Sequence, residues 1–301
     1  VKRRNFLSLS LTVATGMVAS RLPAINLVRS RKTSTPVGGN VWVYAKNLPD
    51  NNVSPILDQI FSDMKYAGFD GIELMENTLR EPATIKIITE LIEQFKIPVI
   101  GTSYGANMWD ESKSNEILED AENVMGNMAR IKARTFGVSV GRPPRRLKTE
   151  NELDAQAALL KKLITLGEKN GVILNLHNHT YEVENNMYDL RGTLKRIPDV
   201  KLGPDLNWLE RAGVDPISFL NEFKDNVVFL HLRDQLKNGE WAESLGEGIT
   251  DFKKIAETLK ENKFKGDVVL ELAHADGFIP SRPVRESLKM SRDYIRKIMK
   301  Y

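Results

Sequence analysis

From residue 41 onward, short β-branched or apolar runs alternate with longer amphipathic segments, and this alternation restricts the chain to architectures built on a parallel sheet. Strand-type runs fall at 41–45, 71–75, 99–103, 135–140, 172–178, 201–206, 227–232 and 268–272. Helical spacing lies between them, as in Ile56, Ile60 and Met64, in Ile85, Ile88 and Ile92, in Ile117, Ala121, Val124 and Met128, in Leu159, Leu163 and Leu166, and in Phe252, Ile255 and Leu259. Asp215-Pro216 marks a further helix start, an N-cap followed by proline at the first helical position, and a last helix is expected over 283–299. Eight such β-then-α units predict one closed (β/α)₈ TIM barrel over residues 36–301. An open doubly wound sheet is the alternative, but no Gly-rich phosphate loop supports it.

The first 35 residues read differently. They contain Lys2, Arg3, Arg4, Arg21, Arg29, Arg31 and Lys32 and no acid. Without those seven, 36 basic side chains face 40 acidic ones, so the formal charge moves from +3 to −4 on the body. A mildly acidic body offers no footprint for a phosphate backbone, which argues against nucleic-acid binding. Lys2-Arg3-Arg4-Asn5-Phe6-Leu7 followed by an apolar stretch resembles a twin-arginine export signal, with an amphipathic N-terminal helix as the alternative. The expectation is a signal and linker over 1–35, a periplasmic location, and no membrane association after signal cleavage. The chain has no cysteine, which is compatible with an oxidising compartment.

The four histidines, His177, His179, His231 and His274, all fall at or just past the carboxyl end of an expected strand. That end of an α/β barrel is where active sites are built. Strand alternation puts His177 and His179 on the face of Asn175, His231 on that of Phe229 and Arg233, Asp205 on that of Gly203 and Asn207, Glu271 on that of Val269, and Glu73 on that of Gly71. A polar face at the end of an apolar strand looks into the barrel mouth. His177, Asp205, His231 and Glu271 are therefore expected to converge from strands five to eight. Two imidazoles and two carboxylates suit one divalent ion such as Mn, Co, Zn or Mg, with a position left for substrate oxygens or water. The alternative is a set of buried polar residues bonded to one another.

These residues sit within a recognisable series: Gly68-Phe69-Asp70-Gly71-Ile72-Glu73-Leu74, His177-Asn178-His179 with Glu182, Asp205-Leu206-Asn207-Trp208, His231-Leu232-Arg233-Asp234, Gly246-Glu247-Gly248 and Leu270-Glu271. In this order they resemble the xylose-isomerase-like sugar (phosphate) isomerase/epimerase family, which also includes endonuclease IV and certain keto-glycoside lyases. The resemblance implies a metal held by a strand-five glutamate and by Asp205, His231 and Glu271. His177 stands at the strand-five position, as in a His-Asn-His branch of the family, and this departure puts the two-glutamate epimerase mechanism in doubt. Glu73 matches the family's strand-two glutamate, a base or substrate ligand, with a salt-bridged mouth residue as the alternative. His179 is expected to bond a sugar hydroxyl or to orient His177, Glu182 to be a catalytic loop carboxylate, Arg233 and Asp234 to touch substrate or to support the residues that do, and Trp208 to wall a sugar ring or to fill the core. Gly246 and Gly248 permit a tight turn, and His274 is a loop residue near the mouth.

A divalent ion beside a hydroxy-carbonyl compound acidifies the C–H next to the carbonyl, and Glu271 or Glu73 would take that proton. The expected enzyme is a sugar isomerase/epimerase acting on an unphosphorylated carbohydrate, since sugar phosphates are cytoplasmic metabolites. A 3-keto-glycoside lyase would use the same site. An endonuclease IV-like nuclease would need a trinuclear site with more histidines and a basic groove, and a non-catalytic sugar-binding barrel would show no C–H exchange. A homo-oligomer is compatible with all of these. If the leader directs twin-arginine export, replacing Arg3 and Arg4 with lysine will retain the precursor in the cytoplasm, and unchanged export on cell fractionation removes the assignment.

Overall fold

The computed structural model describes residues 35–300, so the leader lies outside the described residues. The order is β1 (Val37–Asn40), α1 (Trp42–Ala45), α2 (Leu57–Ala67), β2 (Gly71–Met75), α3 (Glu76–Leu79), α4 (Pro82–Phe95), β3 (Val99–Gly105), α5 (Ser114–Arg130), β4 (Thr135–Ser139), α6 (Glu150–Asn170) and β5 (Ile173–Leu176). It continues with α7 (Thr180–Arg196), interrupted by non-helical backbone from Glu184 to Met187, then α8 (Leu206–Arg211), α9 (Pro216–Glu222), β6 (Phe229–Leu232), α10 (Phe252–Glu261), β7 (Asp267–Leu270) and α11 (Val284–Ile298). The strands pair in parallel in the order β5-β4-β3-β2-β1-β7-β6. Parallel bridges from Leu176 to Leu202 and from Leu202 to Val227 span the gap between β5 and β6, giving a nearly closed barrel wrapped in helices. Among the described residues no helix is long and apolar enough to cross a membrane.

Two expected strands are corrected. The first strand is Val37–Asn40, and 41–45 instead holds helix α1. Two consecutive glycines, Gly38 and Gly39, hide this strand from an apolar count, and Asn40 ends it by turning its Oδ1 onto the Trp42 N–H at 2.7 Å. The sixth, over 201–206, survives only as isolated bridges at Leu202 and Asp205. Pro204 has no N–H for a ladder, although its carbonyl still accepts the His231 N–H at 3.0 Å, and Asp205 becomes the N-cap of α8.

The strands divide the core into two layers by parity. Ile72, Leu74, Leu230, Leu232, Val268 and Leu270 face outward and join the large core shared with the helices. Inside the barrel, Ile100, Phe229 and Val269 form a separate apolar floor. Ile100 belongs there because the β2–β3 register shifts between Ile72 and Glu73 and turns one extra residue inward. Room for it comes from glycine, since a Cβ on Gly71 would lie 2.3 Å from Ile100 Cγ2 and one on Gly38 would lie 2.6 Å from Ile100 Cδ1. One residue pair further along the strands, this floor carries the polar ring described below.

Gly71→Ala should therefore destabilise the fold by about 1–3 kcal/mol through overpacking, measured by urea unfolding. The double variant Gly71→Ala/Ile100→Ala should lose less than the sum of the two single losses, and strict additivity would show that the contact is not the cause.

Candidate metal centre

Four ligand-type side chains meet above the floor. One ligand atom from each of His177, Asp205, His231 and Glu271 lies within 4.8 Å of all the others. His177 follows β5, Asp205 closes the bridged segment after Leu202, His231 is within β6 and Glu271 follows β7, so each arrives from a neighbouring stave of the barrel. The Nδ1 atoms of His177 and His231 face each other at 2.9 Å, and His231 Nδ1 is 3.3 Å from Glu271 Oε2. Asp205 spends Oδ1 on the N–H groups of Asn207 and Trp208 at the start of α8, which leaves Oδ2 for the cluster. All four side chains are buried.

The surroundings fix how each group points. Across the barrel, the His231 Nε2–H donates to Glu73 Oε2 at 2.5 Å, which commits that nitrogen and turns Nδ1 toward the cluster. Glu73 is only 1% exposed and is itself held by Asn40 Nδ2 at 2.7 Å and Ser103 Oγ at 3.3 Å. Arg233 Nη2 reaches Glu271 Oε1 at 2.5 Å and Asp205 Oδ2 at 3.1 Å. Its guanidinium also lies 5.4 Å from the ring centre of Trp208 and 5.3 Å from that of Trp241, two indoles packed edge to face.

Burial is the largest influence on His177, Asp205, His231 and Glu271. It pushes His177 well below its ordinary value, with the neighbouring His231, His179 and Arg233 adding to the fall, so this imidazole is neutral. Burial also lowers His231, but Glu73 and Glu271 more than offset this and bring it up to about 9. Burial raises both carboxyls; Arg233 and His231 return Glu271 to below the ordinary range, while Asp205 stays above it, with Arg233 opposing and Glu271 adding to the rise.

The donor set fits a divalent ion. Glu271 Oε2 and Asp205 Oδ2 are buried without a well-aligned hydrogen bond, a costly arrangement unless a cation lies between them. With both imidazoles neutral, Glu73, Asp205 and Glu271 against Arg233 leave two negative charges, which M²⁺ would balance. Histidine nitrogen with carboxylate oxygen suits Zn, Mn or Co, or a harder ion such as Mg.

The cluster sits at the end of a cavity of about 510 Å³. One wall holds His177, His179, Tyr181, Trp208, Arg233 and Glu271, and the opposite wall, from the β1–β3 side, holds Trp42, Glu76, Ser103 and Tyr104. His179 lies over Tyr181, with rings 5.3 Å apart and 10° from parallel, and its Nδ1 is 3.3 Å from Ser139 Oγ. It borders the cavity outside the four-residue cluster.

Three sequence-based roles change here. Glu73 points at His231 beneath the cluster and does not line the cavity, so it is placed to orient a ligand and not to meet substrate. Glu182 turns back to accept the His179 N–H at 2.7 Å, a capping-box position at the start of α7, and faces a small enclosed space beside Asp189. Asp234, 1% exposed, accepts the backbone N–H groups of Gln235, Gly246, Gly248 and Thr250. It organises the long loop after β6 and does not touch the cavity, and a Cβ on Gly248 would lie 2.1 Å from its Oδ1. His274 is apart from the cluster, its ring against Phe278.

Sequence reasoning missed Trp42, Tyr181, Trp241 and Glu76. Glu76 directly follows β2, so the strand-end rule applied to carboxylates as well as histidines would have found it. Trp241 lies inside a long loop, where no periodicity points inward.

A polar cluster of metal-ligand type at the carboxyl ends of the strands lies where α/β barrels build their active sites. The chain is a member of the xylose isomerase-like TIM barrel family, whose sequence pattern matches residues 61–294. It is 22% identical over 259 residues to an inosose dehydratase from Lacticaseibacillus casei, covering 75% of this chain and 85% of that one. It is 23% identical over 283 residues to an inosose dehydratase from Clostridium perfringens, covering 83% and 93%. A D-allulose 3-epimerase from Methylomonas sp. in complex with D-allulose superposes with TM-score 0.71 at 13% identity, over 88% of this chain and 97% of that one. A 3-keto-D-glucoside 4-epimerase from E. coli gives 0.65 at 18% identity, over 88% and 100%.

If Glu73 orients His231, Glu73→Gln will weaken metal binding about 10- to 100-fold by calorimetry. Unchanged affinity with lost activity would return Glu73 to the role of a base. Because metal must displace the proton that His231 holds up to about 9, affinity should rise with pH below that value, by about one log unit per pH unit for one displaced proton.

Proposed function

We propose that this protein is a divalent-metal-dependent enzyme of the sugar isomerase/epimerase type, which removes the proton beside a carbonyl group of an unphosphorylated carbohydrate. The observation that carries this reading is the position of Glu271, which belongs both to the four-residue cluster and to the cavity lining. His177, Asp205, His231 and Glu271 would hold the ion. When bound, it would polarise the carbonyl and stabilise the negative charge that develops on the substrate oxygens. Glu271 would accept the proton, its carboxylate kept ionised by Arg233. Trp208 and His179 would flank the sugar ring, and the indoles would keep bulk water from the developing charge.

The charge of the cavity supports a substrate without a phosphate. Among the described residues lining the cavity the sole guanidinium is Arg233, and Asp205 and Glu271 already neutralise it. Periplasmic export through the leader would also separate the enzyme from sugar phosphates.

A second outcome of the same proton abstraction is favoured by one feature. His177 stands where the family places a glutamate, so Glu271 is the one carboxylate that the cluster presents to the cavity. Elimination needs one base, which suits a keto-glycoside lyase or a dehydration, and the curated relatives are named for dehydration of inosose.

In deuterated water with Mn, Co, Zn or Mg, ketoses, aldoses and 3-keto-glycosides should be screened by NMR for deuterium beside the carbonyl and for released aglycone or enone. Glu271→Gln should suppress exchange and product formation about 10²- to 10⁴-fold. Metal-dependent cleavage of abasic DNA with no carbohydrate exchange would replace this reading with the nuclease one.

A further inference from the structure

The reaction proposed above leaves one proton unassigned. Removing a proton beside a carbonyl yields an enediolate, and turnover then requires a second group to deliver a proton elsewhere on the substrate. The cluster has no spare acid for this, because Asp205, its second carboxyl group, is engaged by Arg233 and by the N–H groups of Asn207 and Trp208 and does not line the cavity. Glu73 and Glu182, the other two acids that sequence reasoning assigned to catalysis, are both turned away from the cavity.

Among the described residues lining the cavity, only Glu271 and Glu76 bear carboxyl groups. Glu271 stands on the metal-cluster wall. Glu76 stands on the β2–β3 wall, at the first position of α3, beside Met75, Tyr104 and Gly105. It has no ion-pair partner within 4 Å among the described residues, and Arg80, which caps the carboxyl end of α3, is committed to Asp120 at 2.7 and 2.8 Å. Asp120 also accepts the Tyr104 hydroxyl at 3.0 Å, which closes that network on itself and leaves Glu76 as the group facing the cavity.

We propose that Glu76 is the proton donor that completes the reaction begun by Glu271; the assignment rests on the enolisation reading. In the first step the C–H electron pair passes to the enediolate and the proton to Glu271. In the second, the Glu76 O–H bond breaks, its electron pair stays on the carboxylate, and the proton goes to the substrate on the wall away from the cluster. For epimerisation it is delivered to the opposite face of the same carbon, and for isomerisation to the neighbouring carbon while the proton of the adjacent hydroxyl passes to the enediolate oxygen; in both cases a C–H bond forms as the carbonyl re-forms. For elimination it is delivered to the departing oxygen, which leaves with the electron pair of the broken C–O bond. Solvent water then returns the proton to Glu76 and removes the one on Glu271.

The surroundings favour a protonated acid. Burial raises the Glu76 carboxyl above its ordinary value; its own N–H, Arg80 and the Gly105 N–H oppose the rise, and Asp120 adds to it. These, with the Tyr104 hydroxyl, are the polar groups facing it from α3, α5 and β3.

The test separates the two steps in the metal-loaded, full-length enzyme, with the substrate identified by the screen above. In deuterated water, Glu76→Gln should still exchange the C–H of recovered substrate at near the wild-type rate, while product formation falls about 10²- to 10⁴-fold. Glu76→Asp should recover part of the turnover, and it asks the same question if Glu76→Gln does not fold. Turnover within threefold of wild type in Glu76→Gln overturns the assignment. So does equal loss of exchange and turnover in a folded variant, which would make Glu76 structural or part of the first step. If wild type itself exchanges no C–H on any carbohydrate, the enolisation reading fails and this assignment falls with it.

Discussion

The mouth of this barrel is organised by one contact across its axis, the 2.5 Å bond between His231 Nε2 and Glu73 Oε2. It joins β6 to β2, strands far apart in the sheet order, and decides which imidazole nitrogen faces the cluster. A buried carboxylate beside a buried imidazole is tolerable when the two are paired through a proton on the nitrogen that faces the carboxylate, which leaves the other nitrogen for a second proton or a metal ion. Glu73 thus ties the fold to the chemistry, because the group that keeps His231 in place also sets its affinity for a proton or a metal.

Such a polar layer would be unstable over a loosely packed interior. Ile100, Phe229 and Val269 fill the barrel beneath it, and the glycines of β1 and β2 provide the space that Ile100 takes. The bulge in β3 is therefore structural in origin and functional in effect. It brings Ile100 into the floor and keeps Ser103 in register with Met75 and Gly137, where its hydroxyl reaches Glu73. Arg233 completes the arrangement from above, its charge shared between Asp205 and Glu271 and its plane covered by Trp208 and Trp241. A guanidinium so enclosed is less a free substrate anchor than a fixed partner for the two carboxylates.

The cavity places one carboxyl on each of two walls, in unlike electrostatic settings. One is surrounded by cations and stays ionised, whereas the other is buried beside a network that leaves it out. Such separation of two chemically identical groups is what the proposed division into base and acid requires.

Much of this was legible in the chain itself. Alternating strand and helix patterns specify a parallel barrel, and strand parity picks His177, Asp205, His231 and Glu271, because inward and outward residues must alternate wherever one face meets helices and the other the interior. The failures have equally physical causes. β1 is written as Val-Gly-Gly-Asn, with too little apolar surface to register, and the 201–206 segment is apolar enough to read as a strand although Pro204 prevents a ladder. Glu73, Glu182 and Asp234 looked alike in sequence, all acids near strand ends. Their destinations, an imidazole nitrogen, a helix cap and a nest of four backbone N–H groups, depend on partners 158, 3 and up to 16 residues away. Local sequence determined which residues at the strand ends point into the barrel. Only the tertiary structure decided which of them are used up holding one another and which face the cavity, because that depends on long-range partners that no periodicity encodes.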